Sequence, residues 1–150
     1  MPDAFLDGLS IEERELSWIE RLESSDQKHT WLLEEDGETR GFVTCGPAAD
    51  GTLPDGAGQL FALYQDAQWA GTGVGKALLT HATHDLLSHG FRFAVLWALE
   101  TNARARRFYE RAGWTPDGAR NENNYADHTR HEVRYRIALA EIAEENDKRV

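Results

Sequence analysis

The stretch QWAGTGVGKALL, residues 68–79, decides how the chain is read. Glycines alternate at Gly71, Gly73 and Gly75, and an apolar helical pattern follows at once. Glycine takes positive φ without steric cost and lets another group approach the backbone where a Cβ would stand. The first turn of a helix leaves N–H groups without an intrahelical partner, and the helix dipole favours negative charge there. The stretch therefore reads as a tight strand-to-helix turn or as a cradle for a phosphate group, and three alternating glycines favour the phosphate.

Two nucleotide patterns fail on this loop. The P-loop pattern GxxxxGK[ST] needs Gly at 70 and Ser or Thr at 77, where the chain has Ala70 and Ala77. The dinucleotide pattern GxGxxG needs a small residue at 76, where Lys76 stands. The loop also lies in the middle of the chain, with no early βαβ unit before it.

Working outward, residues 73–89 read as a helix with Gly90 as its stop. Gln59–Tyr64 before it is an apolar-rich strand, and Phe91–Leu99 after it is a continuous apolar strand of the buried type. Asn102–Ala112 is a second helix, stopped by Gly113. Thr30–Glu34 and Thr39–Cys45 read as strands around an Asp36-Gly37 hairpin turn, and residues 46–57 as a Gly/Pro/Asp loop. Ser10 and Glu13 form a capping box, and Ile11, Glu15, Trp18 and Leu22 share a stripe, which predicts a helix over 10–24. Residues 116–130 are polar and Asn-rich and read as a loop, Val133–Leu139 is the last strand, and 141–150 is a charged tail. The order is α-β-β-β-α-β-α-β. Strand, helix and strand around the glycine loop imply one parallel pair in a mostly antiparallel sheet, an α+β fold and not a doubly wound one.

Composition bounds the function. The 150 residues fit one domain. A net charge of −10 argues against a general nucleic-acid binder. The charge is uneven: residues 1–57 carry 14 acidic and 4 basic side chains, whereas 58–150 carry 12 of each. Around the loop the balance turns basic, through Lys76, Arg92, Arg104, Arg106, Arg107 and Arg111, which suits an anionic ligand. No apolar run is long enough to span a membrane, and the first residues lack a signal pattern. Cys45 is the single cysteine, so no internal disulfide forms and Cys-based metal-ligand spacing is absent. The expectation is a cytoplasmic protein with no metal, no membrane and no nucleic-acid partner.

Gln68-Trp69-Ala70-Gly71-Thr72-Gly73 matches Q/R-x-x-G-x-G/A, and so resembles the acetyl-CoA motif of the GNAT N-acetyltransferase superfamily. GQLFALYQDAQWAGTGVGKALL resembles that family's fourth strand, loop and third helix, and LWALETNARARRFYERAGW its fifth strand and Asn-led helix with an aromatic pair. The likeness is close over 58–115 and looser over 8–57. It implies a single GNAT domain with strands over 30–65, an acetyl-CoA-binding core at 66–112 and C-terminal strands at 113–140. It implies that N–H groups from about Ala70 through Gly71, Thr72, Gly73, Val74 and Gly75 to Lys76, with Gln68, hold the pyrophosphate of acetyl-CoA. Leu63, Tyr64 and Gln65 then hold the pantetheine arm, and Asn102 the cofactor, while Asn102 also suits a plain N-cap. Tyr109 takes the place of the general acid; Phe108 beside it counts with the cofactor residues or with core packing.

The implied reaction is acetyl transfer from acetyl-CoA to a primary amine of a small molecule or peptide, by direct attack in a ternary complex. A non-catalytic acyl-CoA sensor on the same fold is the alternative. The base is not identified: Glu100 and an ordered water chain are both open. The family's opening strand and helix are expected to be missing, which leaves the acceptor side open or completed by a second subunit in a homodimer. The acidic first third of the chain favours a cationic acceptor.

Overall fold

The computed structural model describes residues 16–23, 27–125 and 128–139. The described strands are β1 (Leu16–Glu23), β2 (Lys28–Glu35), β3 (Glu38–Pro47), β4 (Ala57–Gln65), β5 (Phe93–Leu99), β6 (Thr115–Tyr125) and β7 (His128–Ala138). The described helices are α1 (Val74–Ser88) and α2 (Ala103–Arg111), with a 3₁₀ turn at Ala67–Trp69. The seven strands run in the order β1-β2-β3-β4-β5-β7-β6. The chain divides into two compact units: one takes the segments up to Pro47 and Leu60–Gly90, the other Ala48–Gln59 and the chain from Phe91 on. β4 begins in the second and ends in the first.

In the first unit, β1, β2 and β3 form an antiparallel meander, and α1 packs on β3 and β2. Val74, Leu78, Ala82 and Leu86 recur at helical spacing on α1 and are buried with Leu33, Val43, Cys45 and Leu60. Gly90, at φ 89, ends the helix in the left-handed conformation. Gly41 on β3 is required by space: a Cβ there would lie 2.4 Å from the Tyr64 carbonyl oxygen and 2.8 Å from a Leu78 methyl.

In the second unit, Ala57–Gln59 of β4 pair in parallel with Phe93–Val95 of β5, the parallel pair expected around the glycine loop. β5 then pairs antiparallel with β7, and β7 with β6. Phe93, Ala94, Val95, Leu96, Trp114, Val133 and Tyr135 make its core.

Two sequence expectations are corrected. The helix expected over 10–24 is, in its described part, the strand β1; residues 10–15, with the capping box, lie outside the described residues. The stripe that placed Trp18 on a helix face also fits an alternating strand. Pairing with β2, Trp18 opposite Leu33, decides between them, and Trp18 stacks on His81 of α1 at 3.9 Å between ring centroids. The sheet therefore has an edge strand from residues expected to be helical, and among the described residues no helix stands between β1 and β2. The loop expected over 116–130 is mostly β6 and the start of β7. β6 ends the strand order, where a polar strand needs little apolar cover and tolerates Pro116. Its register shifts between Pro116 and Arg120, around Gly118 at φ 91.

Candidate functional site

In the first unit, β4 delivers Leu63, Tyr64 and Gln65 to the glycine loop. Leu63 and Gln65 are half-buried, while Tyr64 is exposed and stacks on Phe42. Asp66 turns the chain: its N–H donates to the Arg40 carbonyl, and its carboxylate accepts from the Gln68 N–H at 3.1 Å. The 3₁₀ turn is closed by the Trp69 N–H on the Asp66 carbonyl and the Ala70 N–H on the Ala67 carbonyl. Thr72 donates to the Trp69 carbonyl through both its N–H and its hydroxyl. The Arg40 guanidinium lies 4.0 Å from the Trp69 ring centroid and pairs with Glu35 and Glu38, which ties the start of the loop to β2 and β3.

Gly71, at φ 82, and Gly73, at φ 95, then turn the backbone into α1. Gly73 is the N-cap of α1 and supplies no capping side chain. The Gly75 N–H is satisfied by the Gln65 side chain, whose Oε1 accepts it at 3.1 Å. The N–H groups of Gly71, Gly73, Val74 and Lys76 have no hydrogen-bond partner among the described residues. Four open amides at the positive end of a 15-residue helix are an arrangement that accepts an anion. The N–H groups of Gln68, Ala70, Thr72 and Gly75 are instead spent on the loop's own structure.

In the second unit, Asn102 is the N-cap of α2; its Oδ1 accepts the Ala105 N–H at 3.1 Å. Phe108 and Tyr109 are half-buried and meet edge to face at 5.3 Å between centroids. Tyr109 also touches Trp114 and Tyr135, each at 6.3 Å. Burial pushes the Tyr109 hydroxyl above its ordinary pKa, so it stays protonated. Its Oη has no hydrogen-bond partner among the described residues.

Sequence reasoning missed the polar chain beside Tyr109. The Arg106 Nε donates to the Tyr135 hydroxyl at 2.9 Å, which in turn donates to Glu110 at 2.5 Å, and Arg106 Nη1 donates to the Glu100 carbonyl. This chain pins α2 to β7. Its members lie 25 and 29 residues apart, so no local pattern could have marked it. Glu100, one of the two open choices for the base, is ion-paired with Arg120; the hydrogen bond from Arg120 holds its carboxyl below the usual carboxylate range. That makes it a weaker base than an ordinary glutamate. Gln59 is buried and accepts the Ala49 N–H, a loop-fixing role.

The sequence profile of the acetyltransferase (GNAT) family matches residues 2–114. A probable N-acetyltransferase of Mycobacterium tuberculosis is 33% identical over 105 residues, covering 67% of this chain and 57% of that protein. Mycothiol acetyltransferase of Beutenbergia cavernae is 31% identical over 112 residues, covering 74% of this chain and 34% of that one. The chain thus spans less than two thirds of the length of these curated relatives. Among solved structures, IAA acetyltransferase from Bacillus cereus superposes with a TM-score of 0.67 at 11% identity, over 83% of this chain and 99% of that one, a likeness of fold.

Proposed function

The chain belongs to the GNAT acetyltransferase family, and from that we propose that it transfers the acetyl group of acetyl-CoA to a primary amine by direct attack in a ternary complex. The observation that carries the reading is the set of four open amides, Gly71, Gly73, Val74 and Lys76, at the start of α1. On this reading they hold the pyrophosphate, and the backbone of Leu63, Tyr64 and Gln65 holds the pantetheine arm. The neutral amine nitrogen attacks the thioester carbonyl carbon, the C–S bond breaks, and the nitrogen gives its proton to a water chain. A strand N–H stabilises the oxyanion. Tyr109, protonated and without a competing partner, donates to the departing thiolate. Its raised pKa suits donation of a hydrogen bond better than complete transfer of the proton. Asn102 adds a contact to the cofactor beside its capping role.

The acceptor on this reading is a small-molecule or peptide amine of cationic character, because residues 1–57 carry a balance of −10. A diamine should turn over faster than an acidic amino acid, with a difference that shrinks as salt rises. The single unpaired cysteine agrees with a cytoplasmic setting.

The test is an amine panel with acetyl-CoA, read by product mass and thiol release, beside thermal melts with acetyl-CoA, CoA and NAD. A ligand bound only by the native state at about 100 times Kd adds about 2.7 kcal/mol, a shift of several degrees. Acetyl-CoA and CoA should give it and NAD should not. No shift with acetyl-CoA overturns the cofactor reading. A shift without turnover of any amine overturns catalysis and leaves an acyl-CoA sensor.

A further inference from the structure

The far end of α1 gathers side chains that acetyl transfer does not use. His29 on β2 stands directly opposite Cys45 on β3, so both side chains share one face of the sheet. Asp85 and His89 are four residues apart at the end of α1, on one helix face, and α1 packs on β2 and β3. The Asp85 carboxylate is the centre of the group. One oxygen lies 3.5 Å from Cys45 Sγ and 3.7 Å from His29 Nδ1, and the other lies 3.5 Å from His89 Nδ1. Donor atoms of His29, Asp85 and His89 all lie within 4.8 Å of one another. Every one of these residues belongs to the first unit.

The distances from Asp85 are close to those of a coordination shell. Two donors bound at about 2.0–2.3 Å to one tetrahedral ion stand roughly 3.3–3.7 Å apart. The separations of the two Asp85 oxygens from Cys45, His29 and His89, 3.5–3.7 Å, fall at or near that distance, and the donor atoms of His29, Asp85 and His89, within 4.8 Å of one another, close on an ion by small side-chain rotations. Two imidazoles, a carboxylate and a thiol are the donor set of a borderline-soft divalent ion. Glu20 on β1 adds a carboxylate at the same corner, 2.6 Å from His29 Nδ1, where an ion would displace the proton between the two groups. His89 now bonds the Asp85 carbonyl through Nδ1, and its ring is half-exposed and can turn to the ion.

We propose that His29, Asp85 and His89, with Cys45 as fourth donor, form a site for a divalent ion of zinc type that ties β2 and β3 to the end of α1. The ion binds the Cys45 sulfur as thiolate, and the thiol proton leaves to solvent. Asp85 lies 11 residues after Val74, about 16 Å along the helix at 1.5 Å per residue, so the ion clamps α1 at the end away from the open amides. No spaced motif marks the site, because the donors come from two strands and a helix.

The experiment uses the full chain without an affinity tag, titrated with Co²⁺ alone and Zn²⁺ alone. One Co²⁺ per chain should give tetrahedral ligand-field bands in the visible and a thiolate-to-cobalt charge-transfer band, and Zn²⁺ should abolish both. Zn²⁺ should also raise the melting temperature. Cys45→Ser should remove the charge-transfer band. Because Cys45 is buried and its replacement can unfold the chain, His89→Ala, at a half-exposed position, is the second variant. It should weaken Zn²⁺ binding by more than the about 10–100-fold typical of losing an outer-shell partner. Absent bands with an unmoved melting temperature overturn the site. So does Zn²⁺ binding by His89→Ala equal to the parent. Ligand-field bands without charge transfer overturn the four-donor set, since Cys45 then does not bind.

Discussion

The two helices begin in opposite ways. α2 opens on Asn102, whose side chain bonds the Ala105 N–H and closes the first turn on itself. α1 opens on Gly73, which brings no side chain, and leaves four amides of its first turn and approach open. A capped start is worth about 1 kcal/mol of stability. An uncapped start forgoes that, and on the proposed reading its donors serve the cofactor instead. The difference teaches that a helix N-terminus cannot serve folding and an outside ligand with the same amides: α2 spends the Ala105 N–H on its own cap, while α1 leaves its first amides open for the proposed ligand. The one exception within α1 is Gly75, whose N–H is taken by Gln65.

The strongest way to break this contrast is to give α1 a side chain where it has none. Gly73→Asp places a carboxylate beside the open amides. Each charge-assisted hydrogen bond lost is worth about 1.5–3 kcal/mol, so losing two weakens acetyl-CoA by roughly 100-fold or more. The left-handed φ of 95 at this position adds a stability cost, about 1–2 kcal/mol for most residues and toward the lower end for aspartate. Calorimetric titration with acetyl-CoA, beside a denaturant melt, separates the two. Affinity equal to the parent would mean that the open amides are not the phosphate site.

A second variant probes what α2 contributes if not its first turn. Tyr109→Phe keeps the ring contacts with Phe108, Trp114 and Tyr135 and removes only the hydroxyl. A general acid–base group contributes about 10²–10⁴-fold, and a replacing water recovers part of it, so kcat should fall at least about tenfold. Acetyl-CoA affinity should move by less than about 1 kcal/mol. Steady-state kinetics decide: a raised KM with unchanged kcat would make Tyr109 a binding contact instead.

The smallest effect belongs to the cap itself. Asn102→Ala should cost about 1 kcal/mol in a denaturant melt, while Asn102→Asp, also a good N-cap, should cost little. If Asn102 also touches the cofactor, Asn102→Asp should weaken acetyl-CoA through charge repulsion without loss of stability. A melt of Asn102→Ala that matches the parent would erase the contrast between the helices.

Both helix starts were legible in the sequence, and for the same reason: glycine at 71 and 73 and asparagine at 102 act on backbone groups within three residues of themselves. The parallel pair around the loop followed from the same local signals. What was misread lies at the two ends of the strand order. β1 and β6 are held by pairing with β2 and β7: the apolar residues of β1 fit a helical stripe as well as a strand, and β6 is mostly polar. The Gln65–Gly75 bond and the Arg106–Tyr135–Glu110 chain escaped for a related reason, since each joins separate elements whose approach is set by packing. Family resemblance carried the roles of Leu63 and Tyr109, which composition and spacing alone do not distinguish from packing residues.

Gly41 and Gly71 set contrasting limits on how far this sequence can drift. Gly71 has nothing within 4 Å of where a Cβ would stand, and only its φ of 82 resists change. A saturation library at 71 selected for folding alone should therefore recover asparagine and aspartate, the residues that visit the left-handed region most readily. Gly41 has no unusual φ, yet its neighbour at 2.4 Å is backbone that cannot swing aside. A library at 41 should return glycine alone, with alanine as unfit as tryptophan.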